Sequence, residues 1–337
     1  MNKLNNTSNT YLVLCYHYLR NRADKDLFPR ILGTLWDDFE DHLSMLQDSF
    51  NIVSFADVMN FHENNQKFPS GKPNVLLTFD DGLAEHAQAS DILAKKGIKA
   101  LFFIPSCLIT EKVPINSTIL HYTIARYGIF SFLEEYESAL SIFNLSCSDY
   151  RIHFTKGIDD PWETISQIKK MFKYKLSQTD SQRILMRIYK NKLLKDYPEI
   201  FKLMHLGKEQ IKKIISLGHY IGAHTHSHVS IGSANLSKQN FNKEVVESKN
   251  ILEDKLNTKI DSISYPFGEK KDYDNMEQEL RKIGIAKAGF IAEPGLNTKQ
   301  TSPFKIARYL VLKADTIEML HNKLMLLQKN KEVVWKY

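Results

Sequence analysis

The chain has 337 residues, 43% apolar and 25% charged, a composition that excludes a disordered or fibrous protein. Forty-five Lys and Arg against 39 Asp and Glu leave a net charge of +6, too small an excess to point to nucleic acid by itself. The cysteines, Cys15, Cys107 and Cys147, are odd in number and far apart, which argues against a disulfide framework and a structural zinc ribbon.

Residues 1–10 are polar and Asn-rich, and the apolar run 11–16 that follows is too short for a secretory leader. No run reaches the length of a membrane span, so the expectation is a cytoplasmic protein without a transmembrane segment. The run 11–16 reads as a buried strand ending at His17. Similar β-rich runs recur at 75–79, 98–104, 220–223, 260–265, 286–291 and 306–311. Helical spacing lies between several of them, as in Phe39, Leu43, Leu46 and Phe50, or Ile211, Ile214, Ile215 and Leu217 before Gly218. Strands alternating with helices predict an α/β fold built on a parallel sheet or barrel.

The stretch 110–205 breaks that rhythm. Asp160-Pro161-Trp162-Glu163 is a helix start, with a capping Asp, Pro at the first position and Glu at the third. Trp162, Ile165, Ile168, Phe172 and Leu176 would follow on one face, and Ile184, Leu185, Ile188 and Tyr189 mark a second helix. Residues 151–205 hold 12 Lys and Arg against 6 Asp and Glu, so this segment carries the whole net charge. Such a surplus is either a solvated helical face or a flank for an anionic substrate or membrane surface.

Three elements carry chemistry. Thr78-Phe79-Asp80-Asp81-Gly82 closes the strand 75–79. Adjacent carboxylates at a strand end repel unless a cation or proton is shared between them, the alternative being a solvated turn. His224-Thr225-His226-Ser227-His228 closes 220–223, and a His-x-x-x-His pair beside an Asp-Asp turn suits a catalytic zinc or iron(II). Ser264-Tyr265-Pro266-Phe267-Gly268 closes 260–265; alone it reads as a plain turn. All three sit at C-terminal strand ends, the rim on which βα-barrels place their sites.

Together these residues resemble the polysaccharide deacetylases of carbohydrate esterase family four, the NodB-homology domain. The family's TFDDG motif matches Thr78–Gly82 throughout, and its His-[Ser/Thr]-x-x-His matches His224, Thr225 and His228. The resemblance implies Asp80 as general base, with Asp81, His224 and His228 holding one divalent ion, most simply Zn2+. His219 and His226 match no ligand position. The family commonly carries an arginine where Ser264 stands, which leaves open whether Arg308 orients the base instead. The backbone N–H of Phe267, in the turn with Tyr265 and Pro266, would serve the oxyanion. The family's late histidine has a match at His321, but Ile317, Leu320, Leu324 and Leu327 make that segment helical. The strand ending at His17 fits the order of the poly-N-acetylglucosamine deacetylases better, which implies His17 as the acid.

The implied fold is a distorted (β/α) barrel of the NodB type with a helical insertion. Residues 1–109 and 206–337 would form the two halves of the barrel, and 110–205 the insertion. The implied activity is metal-dependent hydrolysis of an acetamido group on an N-acetylated amino sugar, in a polysaccharide or in its lipid- or nucleotide-linked precursor. No nucleic acid is expected; peripheral membrane contact stays open. The rival readings are a metal-dependent amidase on a non-carbohydrate small molecule and a non-catalytic glycan-binding protein of the same fold.

Overall fold

The computed structural model describes residues 7–234, 236–331 and 333. The apolar runs become strands, mostly buried on both faces as parallel sheets require, and two short, partly exposed strands at 51–52 and 297–298 join them. They are β1 (Thr10–Tyr16), β2 (Asn51–Ile52), β3 (Asn74–Phe79), β4 (Leu101–Ile104), β5 (Tyr220–Ala223), β6 (Ser262–Ser264), β7 (Ala288–Phe290), β8 (Asn297–Thr298) and β9 (Tyr309–Leu310). Several are shorter than their apolar runs. The run 306–311, for instance, forms only a single bridge at Ile306, to Phe290, before β9 begins.

The strands form one curled sheet in the order β8-β1-β3-β4-β5-β6-β7, with β2 added beside β3 and β9 beside β1. Among the described strands only β8 is antiparallel to its neighbour. The register Leu12↔Val75 to Tyr16↔Phe79 brings the ends of β1 and β3 level, so His17 and Asp80 leave the sheet side by side. The segment 303–311 then spans the gap. Ile306 donates to the Gly289 carbonyl on β7, and Val311 donates to the Cys15 carbonyl on β1. This is the distorted barrel that the motifs imply.

Helices pack outside it. The Phe39, Leu43 and Leu46 stripe of α1 (Trp36–Ser49) is fully buried. Between β4 and β5 the chain is nearly all helix. The long helices there are α2 (Asn116–Ile142), kinked at Gly128, α3 (Pro161–Lys170) and α4 (Gln178–Ile188). They enclose a cluster of their own that includes Phe132, Tyr136, Ile168, Ile184, Leu185 and Ile188. Asp160 caps α3 as its sequence predicts, accepting from the Trp162 N–H at 2.9 Å. Trp162 itself does not join the buried face; it is 62% exposed. The inward stripe of α3 is Thr164 and Ile168, four residues apart, and two residues of helix turn Trp162 to the opposite side.

Candidate active site

The parallel strand ends deliver the chemistry-bearing residues to one rim. Phe79 is clamped between Tyr16 and Phe102, with ring centroids at 5.5 and 4.7 Å, and the Asp80 N–H donates to the Tyr16 carbonyl. Thr78 donates its hydroxyl to the Leu14 carbonyl at 2.8 Å. The Asp-Asp pair is thereby fixed to β1.

Asp80 is buried and held by one strong partner. Arg308 forms a fork on it, Nη1 to Oδ1 and Nη2 to Oδ2, both at 2.8 Å. Arg308 also donates to Ser264 Oγ at 2.8 Å, and Ser264 donates to Asp80 Oδ2 at 2.9 Å. Burial pushes the Asp80 carboxyl up, but Arg308, His224 and His17 together bring it well below the usual range. It stands as a carboxylate. The role left open for Arg308 thus has a geometry: its side chain reaches from the residue just before β9 to both Asp80 and the small Ser264.

Asp81 faces the two histidines. Its Oδ1 lies 3.3 Å from His224 Nε2 and 3.1 Å from His228 Nε2, and it has no hydrogen-bond partner among the described residues although it is buried. His224 Nδ1 lies 2.8 Å from the Ser264 carbonyl, an acceptor, so Nδ1 carries the proton and Nε2 presents its lone pair. An orphaned carboxylate oxygen and converging imidazole nitrogens are costly without a cation and form a ligand set with one. Burial pushes the Asp81 carboxyl up, but His228 and His224 beside it bring it well below the usual range. A second cluster, Cys15, His17 and Asp80, does not fit a metal in the same way. Burial holds the Cys15 thiol protonated, and Asp80 is committed to Arg308.

His17 lines the same cavity, half-buried, with its carbonyl accepting from His86 Nε2 at 2.9 Å. His321 lies elsewhere, on the helix Ile317–Gln328, where its ring packs edge-on against Phe50. His219 bonds Ala100 and Ser90, and His226 bonds Ser106 and Glu111, so both serve the scaffold. Phe267 packs its ring on His228 at 5.0 Å. Tyr265 also borders the cavity while its hydroxyl donates to the Phe304 carbonyl; Pro266 is not among the lining residues.

Backbone strain concentrates here. Outside asparagines and Lys112, the described non-glycine residues with left-handed φ are Asp81, Thr225, His228 and Phe267. A β-branched Thr225 at φ 57° is an outlier that persists only where its surroundings enforce it. One enforcer is Glu244, which sequence reading did not single out. Its carboxylate accepts from the backbone N–H of His226 and Ser227 and from the Ser227 hydroxyl. Nothing in its local sequence separates it from an ordinary helix-surface glutamate.

The cavity has a volume of about 630 Å³, and the helical segment supplies one wall through Asn116, His121, Lys169, Lys173, Tyr174 and Gln178. Residues 179–288 match the family model described as polysaccharide deacetylase. That match spans about a third of the chain and stands as a similarity to this family. No curated protein sequence matches the chain significantly. Solved structures do match in fold. The Streptococcus pyogenes deacetylase PplD in complex with acetate aligns with TM-score 0.58 and 17% identity, over 93% of this chain and 97% of that one. IcaB from Ammonifex degensii aligns with TM-score 0.54 and 16% identity, over 93% and 96%. A de-N-acetylase from Aggregatibacter actinomycetemcomitans aligns with TM-score 0.54 and 14% identity, over 93% and 99%.

Proposed function

We propose that this protein is a metal-dependent N-deacetylase that removes the acetyl group of an N-acetylated amino sugar, in a polysaccharide or in its lipid- or nucleotide-linked precursor. The observation that carries the reading is the orphaned Asp81 Oδ1 between His224 and His228, beside a second carboxylate held apart by Arg308. Asp81, His224 and His228 would hold one divalent ion, Zn2+ by preference of the donor set. When bound, that ion supplies the Lewis acidity that polarises the acetyl carbonyl.

The chain's own groups do the rest. Asp80 Oδ1 has a single side-chain bond, from Arg308, and its remaining lone pair accepts the proton of the attacking water. His17, beside Asp80 on the same rim and tethered through its carbonyl, returns a proton to the leaving amine. The Phe267 N–H faces the developing oxyanion in this scheme, held in a turn whose φ of 67° only a packed site maintains. Tyr265 and Pro266 set that turn. A cavity of about 630 Å³, walled on one side by helices, suits one or two sugar units better than a long polymer, which favours a precursor. The described cysteines are all free, which suits a reducing compartment such as the cytoplasm, and no described helix is long and apolar enough to cross a membrane.

The test is release of acetate and free amine in equal amounts from N-acetylglucosamine and its short oligomers by the zinc-loaded protein. Asp80→Asn should lose on the order of 10²–10⁴ in rate while keeping its metal. No acetate from any acetylated sugar, or full activity in Asp80→Asn, would defeat the reading.

A further inference from the structure

We propose that the helical segment builds an anion subsite beside the reacting centre, formed by Lys169 and Lys173 with His121 as a neutral donor, for a phosphate or diphosphate attached to the amino sugar. The inference rests on the deacetylase reading for the identity of the sugar, but its own evidence is the charge and geometry of the cavity wall.

The wall does not balance its charges. Of the carboxylates lining the cavity, Asp80 is taken by Arg308, and Asp81 belongs to the candidate metal set with His224 and His228. Asp180 pairs with Arg183 at 2.6 Å, and Glu269 lies 3.3 Å from Lys271 and 3.9 Å from Lys173. Lys169 has no ion pair or hydrogen bond among the described residues, although it lines the cavity and is only partly exposed. Burial alone acts on its ammonium and pushes its pKa down. A half-buried, unpaired cation is an expense that an anionic ligand removes.

Its neighbours place the ligand. Lys173 lies one helical turn further on, and its ammonium stands 4.2 Å over the Phe267 ring, which itself packs on His228. His121 meets the Tyr18 hydroxyl through Nδ1 at 3.1 Å, next in sequence to His17. Burial and the adjacent Lys169 push His121 down to about 3, so its imidazole is neutral. In the tautomer in which Tyr18 donates to Nδ1, Nε2 carries the proton and is a donor to the ligand. The subsite therefore touches the reacting centre from two sides, through Phe267 and through Tyr18, which follows His17. A phosphate on the sugar's anomeric oxygen can occupy it while the acetamido group faces Asp80 and Asp81.

The experiment is calorimetric binding of glucosamine 1-phosphate and of glucosamine, neither of which can be deacetylated, to the zinc-loaded protein. The phosphate ester should bind at least about tenfold tighter, a preference that added salt erodes. In Lys169→Gln the preference should fall towards unity, and Lys169→Arg should keep most of it. Any attraction of phosphate to the metal is common to wild type and variant, and cancels in the comparison. Equal binding of the two sugars by wild type, or an unchanged preference in Lys169→Gln, would overturn the subsite. Uridine-diphosphate glucosamine and a farnesyl-diphosphate glucosamine form the two further arms. Both should lose affinity in Lys169→Gln, and the one bound tighter by wild type identifies a nucleotide or a lipid as the carrier. Because binding is read without turnover, a protein that releases no acetate yet keeps the preference would fail the deacetylase reading and retain the subsite.

Discussion

At the scale of single residues, the Asp80–Arg308 pair decides how the site works. Both partners are buried, so the fork is stable only as a complete unit with Ser264. Removing the guanidinium leaves a buried carboxylate unpaired, which typically costs about 3–5 kcal/mol. Arg308→Met should therefore lower the melting temperature clearly and abolish most acetate release. Arg308→Lys keeps the charge but loses the bidentate geometry, and should be intermediate in both. Thermal unfolding and rate, measured on the same samples, check this; a stable and active Arg308→Met would show that the fork is dispensable. The sequence reveals the absence of arginine at Ser264 but not its replacement, because 228 positions separate Arg308 from the carboxylate it grips. Glu244 was hidden for a similar reason. It acts on backbone 17 and 18 positions away, from a helix whose pattern looks ordinary.

Among elements, the helical segment was legible as helices and illegible as a wall. Periodicity locates Ile168, Ile184, Leu185 and Ile188 in its buried face, since that face needs only its own helix partners. Which lysines turn towards the cavity depends on how the segment sits on the barrel. Its seams are polar and buried. His205 meets Thr118 at 2.9 Å and the Gly82 carbonyl at 3.3 Å, and His121 meets Tyr18; in the adjoining barrel Glu85 accepts from the Leu19 N–H and His86 meets the His17 carbonyl. Burial lowers His205 and His86 to about 4 and His121 to about 3, and raises Glu85 to about 7. Each histidine binds its proton more readily unfolded, so its contribution is complete above about pH 6.5 and lost as pH falls towards 4. Glu85 works in the opposite sense: its contribution is complete below about pH 4.5 and lost as pH rises through 7. Between pH 4.5 and 6.5, three imidazoles that take up protons on unfolding outweigh one carboxyl that releases one. Stability should therefore rise with pH across that window, by about 1.4 kcal/mol per pH unit for each net proton. Chemical denaturation in the presence of a chelator measures it, and a flat or falling profile would mean these imidazoles are not buried neutral.

For the whole molecule, the parallel register is what unites the ends of the chain. The apolar runs were readable because strands buried on both faces leave no alternation to decipher, and turns such as TFDDG mark their ends. Closure was not readable. The segment 303–311 reaches β7 and β1 through backbone bonds that any sequence can make. That closure carries Arg308 to Asp80, while the alignment of β1 with β3 sets His17 beside it and leaves His321 on an outer helix. In the proposed mechanism the proton donor therefore comes from the start of the chain, as His17. Acetate release by zinc-loaded His17→Ala and His321→Ala, with metal content confirmed in both, is the most direct test. His17→Ala should lose on the order of 10²–10⁴ in rate and His321→Ala almost nothing. An active His17→Ala beside a dead His321→Ala would contradict it.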